Sequence, residues 1–466
     1  RVKELDISIP TFAQMMKPEL IPGNIISGLR KTALWDVDPL NLFRISWKNE
    51  CKPIGGLFGD VNYIEFPPEL TGVDTRIIAL IGKWFPTGSH KVGATFGCIV
   101  PKLITGQFDP TLYKAVWPST GNFCRGGAYV SSLLSCESIA ILPEEMSKER
   151  FEWLSKIAGE VITTPGGESN VKEIYDKCKE LRDTRDNITI FNQFEEFGNY
   201  LWHYHITGSA IKEVFERNFQ NDHRLAGFVS SSGSAGTLAA ADYLKLKYTG
   251  MKTAACEALQ CPTMLLNGFG AHRIEGIGDK HIPWIHNVRN TDLVIAVDDD
   301  PCMELIRLFN EQEGRKYLAE LGCRDELIQN LDLVGISGMA NLIASIKFSK
   351  YFELTGKDVI FTVLTDSMEL YSSRIDELRS VHGNFERDNA VKNYYKDLRG
   401  IAVDNMLELN YYDRKRIHNL KYFTWIEQQG KNVEELNDQW YNYPGYWNDI
   451  AAQKDEIDEL ITEFNT

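Results

Sequence analysis

The sequence predicts an α/β protein built on parallel sheet, and three observations carry that expectation. From about residue 75 onward, short β-branched or apolar runs alternate with amphipathic segments of helical period. The runs are solidly apolar rather than alternating, as strands buried on both faces are. Turns rich in small residues stand where runs give way to helices, the usual join in layered α/β architecture. The runs are 76–81, 115–117, 138–142, 160–163, 188–191, 227–230, 293–297 and 359–364. Between them lie segments such as 148–158, where Ser147 can cap the helix start and Gly159 can stop its end.

The 466 residues exceed one ordinary core, since domains cluster near about 150 residues. Residues 1–74 are mixed and Pro-rich, and read as an N-terminal arm or partial cap. Residues 75–375 carry the alternating pattern of two parallel-sheet domains, with about 112–195 as the smaller, mobile one. Residues 376–466 read as a helical, acidic extension without strands. Its aromatic cluster (Phe423, Trp425, Trp440, Tyr441, Tyr443, Tyr446 and Trp447) is expected to be buried against the core or a partner subunit.

With 43% hydrophobic and 25% charged residues the composition is that of a globular protein. The net charge of −15 argues against a nucleic-acid partner. The longest apolar stretch, 331–348, is interrupted by Asp332, Ser337, Asn341 and Lys347, too often for a membrane helix. No basic-then-apolar leader precedes it, and the opening Arg1 is expected of a trimmed start. The nine cysteines are odd in number, scattered, and form no CxxC or Cys/His pair, which points to reduced thiols in a cytoplasmic protein and to no metal site.

Four strand-end segments carry candidate chemistry. In Pro86 to Ala94, Lys91 stands where a helix begins; the positive helix end lowers an amine pKa and favours attack on a carbonyl, though an exposed lysine after a turn has the same local look. In Phe228 to Thr237, a strand, a Gly/Ser loop and a helix start can surround one phosphate, as can any tight strand-to-helix turn. It is neither a Walker loop nor a GxGxxG turn. The segment Trp117 to Phe123 offers hydroxyls and amides for a carboxylate, with Asn122 free to donate to a phenolic oxygen, or is a plain capping turn. In Thr365 to Met368, Ser367 can bond a ring nitrogen or cap the next helix.

In order and combination these segments resemble the fold-type-II family of pyridoxal 5′-phosphate (PLP) enzymes, with cysteine synthase, cystathionine β-synthase and threonine dehydratase among its members, over about residues 75–375. Gln193-Phe194, His203 to Ile211 and His272 to Gly278 extend the likeness. The resemblance implies a tryptophan-synthase-β-like fold with the cofactor in the cleft. It implies Lys91 as the covalent PLP lysine, and a phosphate cup at Gly233, Ser234, Ala235, Gly236 and Thr237. It further implies Asn122 at the ring hydroxyl, Ser367 at the pyridine nitrogen, and Ser119, Thr120, Asn122 and Gln193 around the substrate carboxylate. A neutral serine opposite the ring nitrogen favours chemistry at Cβ over transamination. The pattern departs from cysteine synthases at Val92-Gly93, at Ala235 where they have glycine, and at Phe123-Cys124.

Size and the terminal extensions resemble the PLP-bearing β subunit of 2-amino-4-ketopentanoate thiolase, of ornithine degradation. That resemblance implies an acyltransferase splitting 2-amino-4-oxopentanoate with coenzyme A into acetyl-CoA and alanine, together with a smaller second subunit. On this reading Cys124, near a helix start, is a candidate acyl acceptor; a buried core cysteine is its alternative. The other reading is β-replacement or β-elimination on serine, O-acetylserine or cysteine, as a lyase or synthase. Both carry the family habit of a homodimer.

Overall fold

The computed structural model describes residues 4–119, 121–146, 148–167, 171–278 and 280–466, so the expected cap Ser147 lies outside the described residues. Its strands, in chain order, are β1 (Tyr63–Phe66), β2 (Arg76–Ile81), β3 (Lys114–Pro118), β4 (Ser138–Pro143), β5 (Glu160–Thr164), β6 (Ile188–Ile190), β7 (Arg224–Ser231), β8 (Lys252–Ala258), β9 (Leu293–Val297), β10 (Asp358–Leu364) and β11 (Met406–Glu408). They form a seven-stranded sheet, β1-β2-β10-β7-β8-β9-β11, and a four-stranded sheet, β5-β4-β3-β6. The small sheet is parallel throughout. In the large one β2, β10, β7, β8 and β9 are parallel, while β1 and β11 close the two edges antiparallel.

Three strands escape the sequence reading. β8 reads Lys-Thr-Ala-Ala-Cys-Glu-Ala, almost without β-branched residues; parallel neighbours on both sides supply its ladder, so tertiary context overrides propensity. The short edge strands β1 and β11 correct the expectation that strands begin near residue 75 and stop after about 376. Both carry partly exposed residues, so neither reads as a buried run.

The contact that places the chemistry lies between the helix Lys91–Ile104 and the helix Phe197–Trp202. At their crossing Gly97 and Gly198 face each other: a Cβ on Gly97 would stand 2.3 Å from the Gly198 carbonyl oxygen, and one on Gly198 would stand 2.1 Å from the Gly97 carbonyl oxygen. No side chain fits between them. The backbones therefore touch, and the start of the first helix is drawn toward the loop that precedes the second.

The N-terminal arm is woven into the molecule's main core. Ile9, Phe12, Met15 and Trp47 share a cluster with Phe96, Ile99 and Ile461. The arm is clamped by the helix Gly445–Phe464 and the residue after it: Asp458 accepts from the Phe12 and Ala13 N–H groups at 2.6 and 3.1 Å, and Asn465 bonds both backbone groups of Ile9. In the C-terminal extension Trp425, Trp440 and Trp447 are buried, but Phe423 and Tyr441 are 62% and 67% exposed, so the aromatic cluster is only partly covered in the monomer. Lys421 anchors the extension, its fully buried Nζ donating to Trp284 O, His286 O and Gln439 Oε1 at 2.7–2.8 Å.

Lys421→Met strands those three buried acceptors, each costing about 1–3 kcal/mol when left without a donor. After relaxation a net loss of about 2–4 kcal/mol is expected, read as a lower urea midpoint at unchanged m-value.

Candidate active site

The turn 82–90 carries the chain from β2 to Lys91, the first residue of its helix, through Thr87 and Gly88, both at positive φ (68° and 70°). A non-glycine residue in that region stores backbone strain, which here sits directly before the lysine. The Lys91 Nζ donates to Gln193 Oε1 at 3.3 Å and to Ser234 Oγ at 3.2 Å. Two segments, 102 and 143 residues further along the chain, thus converge on one amine. Gln193 Nε2 donates in turn to Ser119 Oγ at 3.2 Å, which also accepts the Gly121 N–H at 3.2 Å.

Two adjoining cavities meet at this amine. The first, about 30 Å³, is lined by Lys91, Ser119, Asn122, Gln193, Ser234 and Ser337, among others. The second runs along the loop after β7, where Gly233 to Thr237, Ser230, Ser231 and Asn341 line it. Lys91, Gly233, Ser234, Gly276 and Thr365 border both. Glycine at 233 is required because a Cβ would stand 2.7 Å from the Gly276 carbonyl oxygen. Ala235 adopts φ 61°, the conformation that favours glycine, which accounts for the glycine expected there. No carboxylate lines the second cavity among the described residues, and hydroxyls do, so a phosphate fits it. In the first cavity Asn122 Oδ1 is buried with no partner, an open hydrogen-bonding position for a ring substituent. The residues present therefore fit a planar cofactor with an anionic tail. His90, buried beside Lys91, is held neutral, its pKa pulled down to about 3 by burial and then by the lysine charge.

Two residues singled out in the sequence stand outside both cavity walls. Ser367 is buried but lines neither cavity; the hydroxyls nearest it in the lining are Thr365, two residues earlier, which borders both cavities, and Ser337, near the start of the helix Ile336–Tyr351, which borders the first. Cys124 also lines neither cavity. Its Sγ donates to the Gly121 carbonyl at 2.9 Å and burial pushes its thiol pKa up to about 12, which keeps the thiol protonated and matches the buried core cysteine that is its alternative. Thr120 lies outside the described residues.

The sequence reading also misses several residues that build the site. Asn199 donates to Gln193 O and Ser234 Oγ, both at 3.0 Å, tying the two acceptors of Lys91 to each other. Asn341 accepts from the Ser231 N–H and hydroxyl at 2.7 Å and donates to Val363 O, holding β7, β10 and the helix Ile336–Tyr351 in register. On the far side Asn122 Nδ2 donates to buried Asp366 Oδ2 at 2.5 Å, and Tyr371 OH donates to the same oxygen at 2.7 Å. Tyr371 accepts from Arg150 at 2.9 Å, and Arg150 pairs with Glu275 at 2.9 Å. Burial raises the Asp366 pKa, opposed by these donors and by the Arg150 charge. A lone Asn, Asp or Arg has no local signature, and only the fold assembles these.

Comparison with known proteins bears on this geometry. The family described as "Pyridoxal-phosphate dependent enzyme" matches residues 84–316, half of the chain. A cysteine synthase of Staphylococcus aureus is 29% identical over 289 residues, 62% of this chain and 84% of that protein. The cystathionine beta-synthase of Saccharomyces cerevisiae is 24% identical over 66% of this chain and 59% of its own length. Among solved structures, a hydrogen sulfide-producing enzyme from Fusobacterium nucleatum superposes with a TM-score of 0.57 at 21% identity, covering 75% of this chain and all of that one. An O-acetylserine dependent cystathionine beta-synthase from Helicobacter pylori gives 0.56 at 24% identity over 68% of this chain and 95% of that one.

Two outcomes are expected. Cys124→Ser retains the parental turnover, measured on cofactor-loaded protein. Asn199→Ala removes two buried hydrogen bonds and weakens cofactor retention by about 1–3 kcal/mol, read by equilibrium dialysis of PLP.

Proposed function

Since the chain belongs to the pyridoxal-phosphate dependent enzyme family, we propose that it carries out β-replacement or β-elimination on a small amino acid, in the manner of the cysteine synthases and cystathionine β-synthases it is similar to. The observation that carries the reading is the position of the Lys91 amine, at the junction of a carboxylate-free hydroxyl cup and a cavity walled by Ser119, Asn122 and Gln193. Bound PLP supplies an aldehyde for covalent attachment and a conjugated ring that draws electron density from Cα.

The chain's own residues do the rest. The hydroxyls of the cup would seat the phosphate, and Lys91 would hold the cofactor covalently and be freed as a base when substrate binds. Ser119 and the Gln193 amide orient the substrate carboxylate beside it. The released Lys91 Nζ accepts the Cα proton; the electron pair of that C–H bond forms the Cα–Cβ double bond as the leaving group departs from Cβ with its own pair. In replacement, an incoming nucleophile then bonds to Cβ and Lys91 returns the proton to Cα. No carboxylate lines this cavity among the described residues, so the ring nitrogen of bound PLP would have no ionised partner there to stabilise charge at Cα, which favours loss of the Cβ substituent.

Acyl transfer to coenzyme A loses its candidate residue with Cys124 buried and neutral, and the relatives support the β-replacement reading instead. The purified chain, loaded with PLP and given O-acetylserine and sulfide, is expected to form cysteine. Acetyl-CoA formed from 2-amino-4-oxopentanoate and coenzyme A would overturn the reading. Lys91→Ala is expected to lose both the visible absorbance of the attached cofactor and turnover. Ser337→Asp is expected to retain PLP but lower turnover at least about a hundredfold, about 2.7 kcal/mol at the transition state, whereas Ser367→Ala leaves the cofactor spectrum unchanged.

A further inference from the structure

The C-terminal extension lies outside the residues that the family matches, 84–316, yet it reaches the wall of the reactive cavity. Gln193, which accepts from the Lys91 amine, and Phe194 both line that cavity. Phe194 is buried in an aromatic cluster. The His281 ring stands 4.8 Å from it and the Tyr175 ring 6.2 Å, both edge-to-face, and the Tyr175 hydroxyl lies 3.1 Å from His281 Nε2. Trp425, from the extension, completes the cluster. Its ring is fully buried and packs edge-to-face on His281 at 5.7 Å and on Tyr175 at 6.1 Å.

Polar ties run beside this packing. Trp425 Nε1 donates to Ile282 O at 2.8 Å, and Lys421 from the same extension donates to the Trp284 and His286 carbonyls. The extension thereby fixes the backbone of the loop 281–286. That loop holds Phe194 in turn, since the Ile285 N–H donates to Phe194 O at 3.3 Å. Lys431 makes a direct tie, pairing at 2.7 Å with Glu195, the residue after Phe194. Tyr175 adds a third body, because it stands on the helix Val171–Thr184, whose Ile174, Cys178 and Leu181 pack on β3 and β4 of the small sheet. Resting on the β-replacement reading, which seats the substrate carboxylate on Ser119 and Gln193, we propose that Trp425 and Lys431 are positioning residues of the reaction: through them the extension sets the 193–195 segment and so the carboxylate seat. The buried ring carries more of this than the ion pair, whose two side chains are one-quarter exposed and screened by solvent.

L-alanine, which has the carboxylate but no leaving group at Cβ, is the probe, titrated into PLP-loaded protein and followed by the cofactor absorbance. Trp425→Leu is expected to raise its half-saturating concentration about tenfold. Trp425→Phe, which keeps a ring on His281 and Tyr175, is expected to stay within about twofold. Lys431→Met and Glu195→Gln are each expected to raise it about threefold, and together no more than either alone. Those two substitutions decide the matter if Trp425→Leu does not fold. Hydroxylamine, a nucleophile without a carboxylate, is expected to discharge the attached cofactor at the parental rate in every variant, whereas general loosening of the structure would speed it. Faster discharge alongside weaker L-alanine binding overturns the proposal, as do unchanged L-alanine affinity in these variants, additive effects of the ion-pair substitutions, or no spectral response of the parent. Cysteine formation from O-acetylserine and sulfide is read separately. Its absence removes the β-replacement reading, while the L-alanine titration still decides whether the extension sets the carboxylate seat.

Discussion

Everything at the site depends on a contact with no side chains in it. Gly97 and Gly198 let two backbones touch, and that approach brings the lysine at the start of one helix to the amide and hydroxyl beside the other. A single methyl at either glycine would push the helices apart by more than the hydrogen bonds at Lys91 tolerate, since those already span 3.2–3.3 Å. Asn199, one residue from the crossing, then converts proximity into fixed geometry by bonding both partners of the amine. Close packing and polar alignment are one device here.

The electrostatic plan follows from burial. His90 and Cys124 lie within or beside the site's elements, yet both are kept uncharged by loss of solvent. The charges that remain buried near the reactive cavity, on Arg150, Glu275 and Asp366, are held in a connected network and not as isolated ions, the only arrangement in which burying them is tolerable. Lys91 is thus left as the amine that faces both the hydroxyl-lined cup and the cavity walled by Ser119, Asn122 and Gln193.

Much of this was legible in the sequence, and the remainder has physical reasons for being hidden. Parallel sheet is announced by solid apolar runs, and Lys91, Asn122 and the loop at 233–237 stand at strand ends, where the chain must turn and where glycine and hydroxyl residues leave a pattern. β8 leaves no such mark because alanines form a strand only when neighbours on both sides provide the ladder. Ser337, which borders the first cavity, sits inside an apolar run that reads as helix and so leaves no local mark. Asn199, Asn341 and Arg150 act through partners distant in the chain, and no window of sequence contains both members of such a pair.

The clamp of Asp458 and Asn465 on the N-terminal arm reaches beyond the site. Ile9 and Phe12 belong to the same apolar cluster as Ile457 and Ile461, so a segment made early waits on the ribosome for one made more than four hundred residues later. Until that segment emerges, a strip of the central core is open to water and to other nascent chains, and a shielding chaperone has a defined patch to cover. Closure of this core is consequently a late event: the two segments meet and the arm is sealed against the helix Gly445–Phe464.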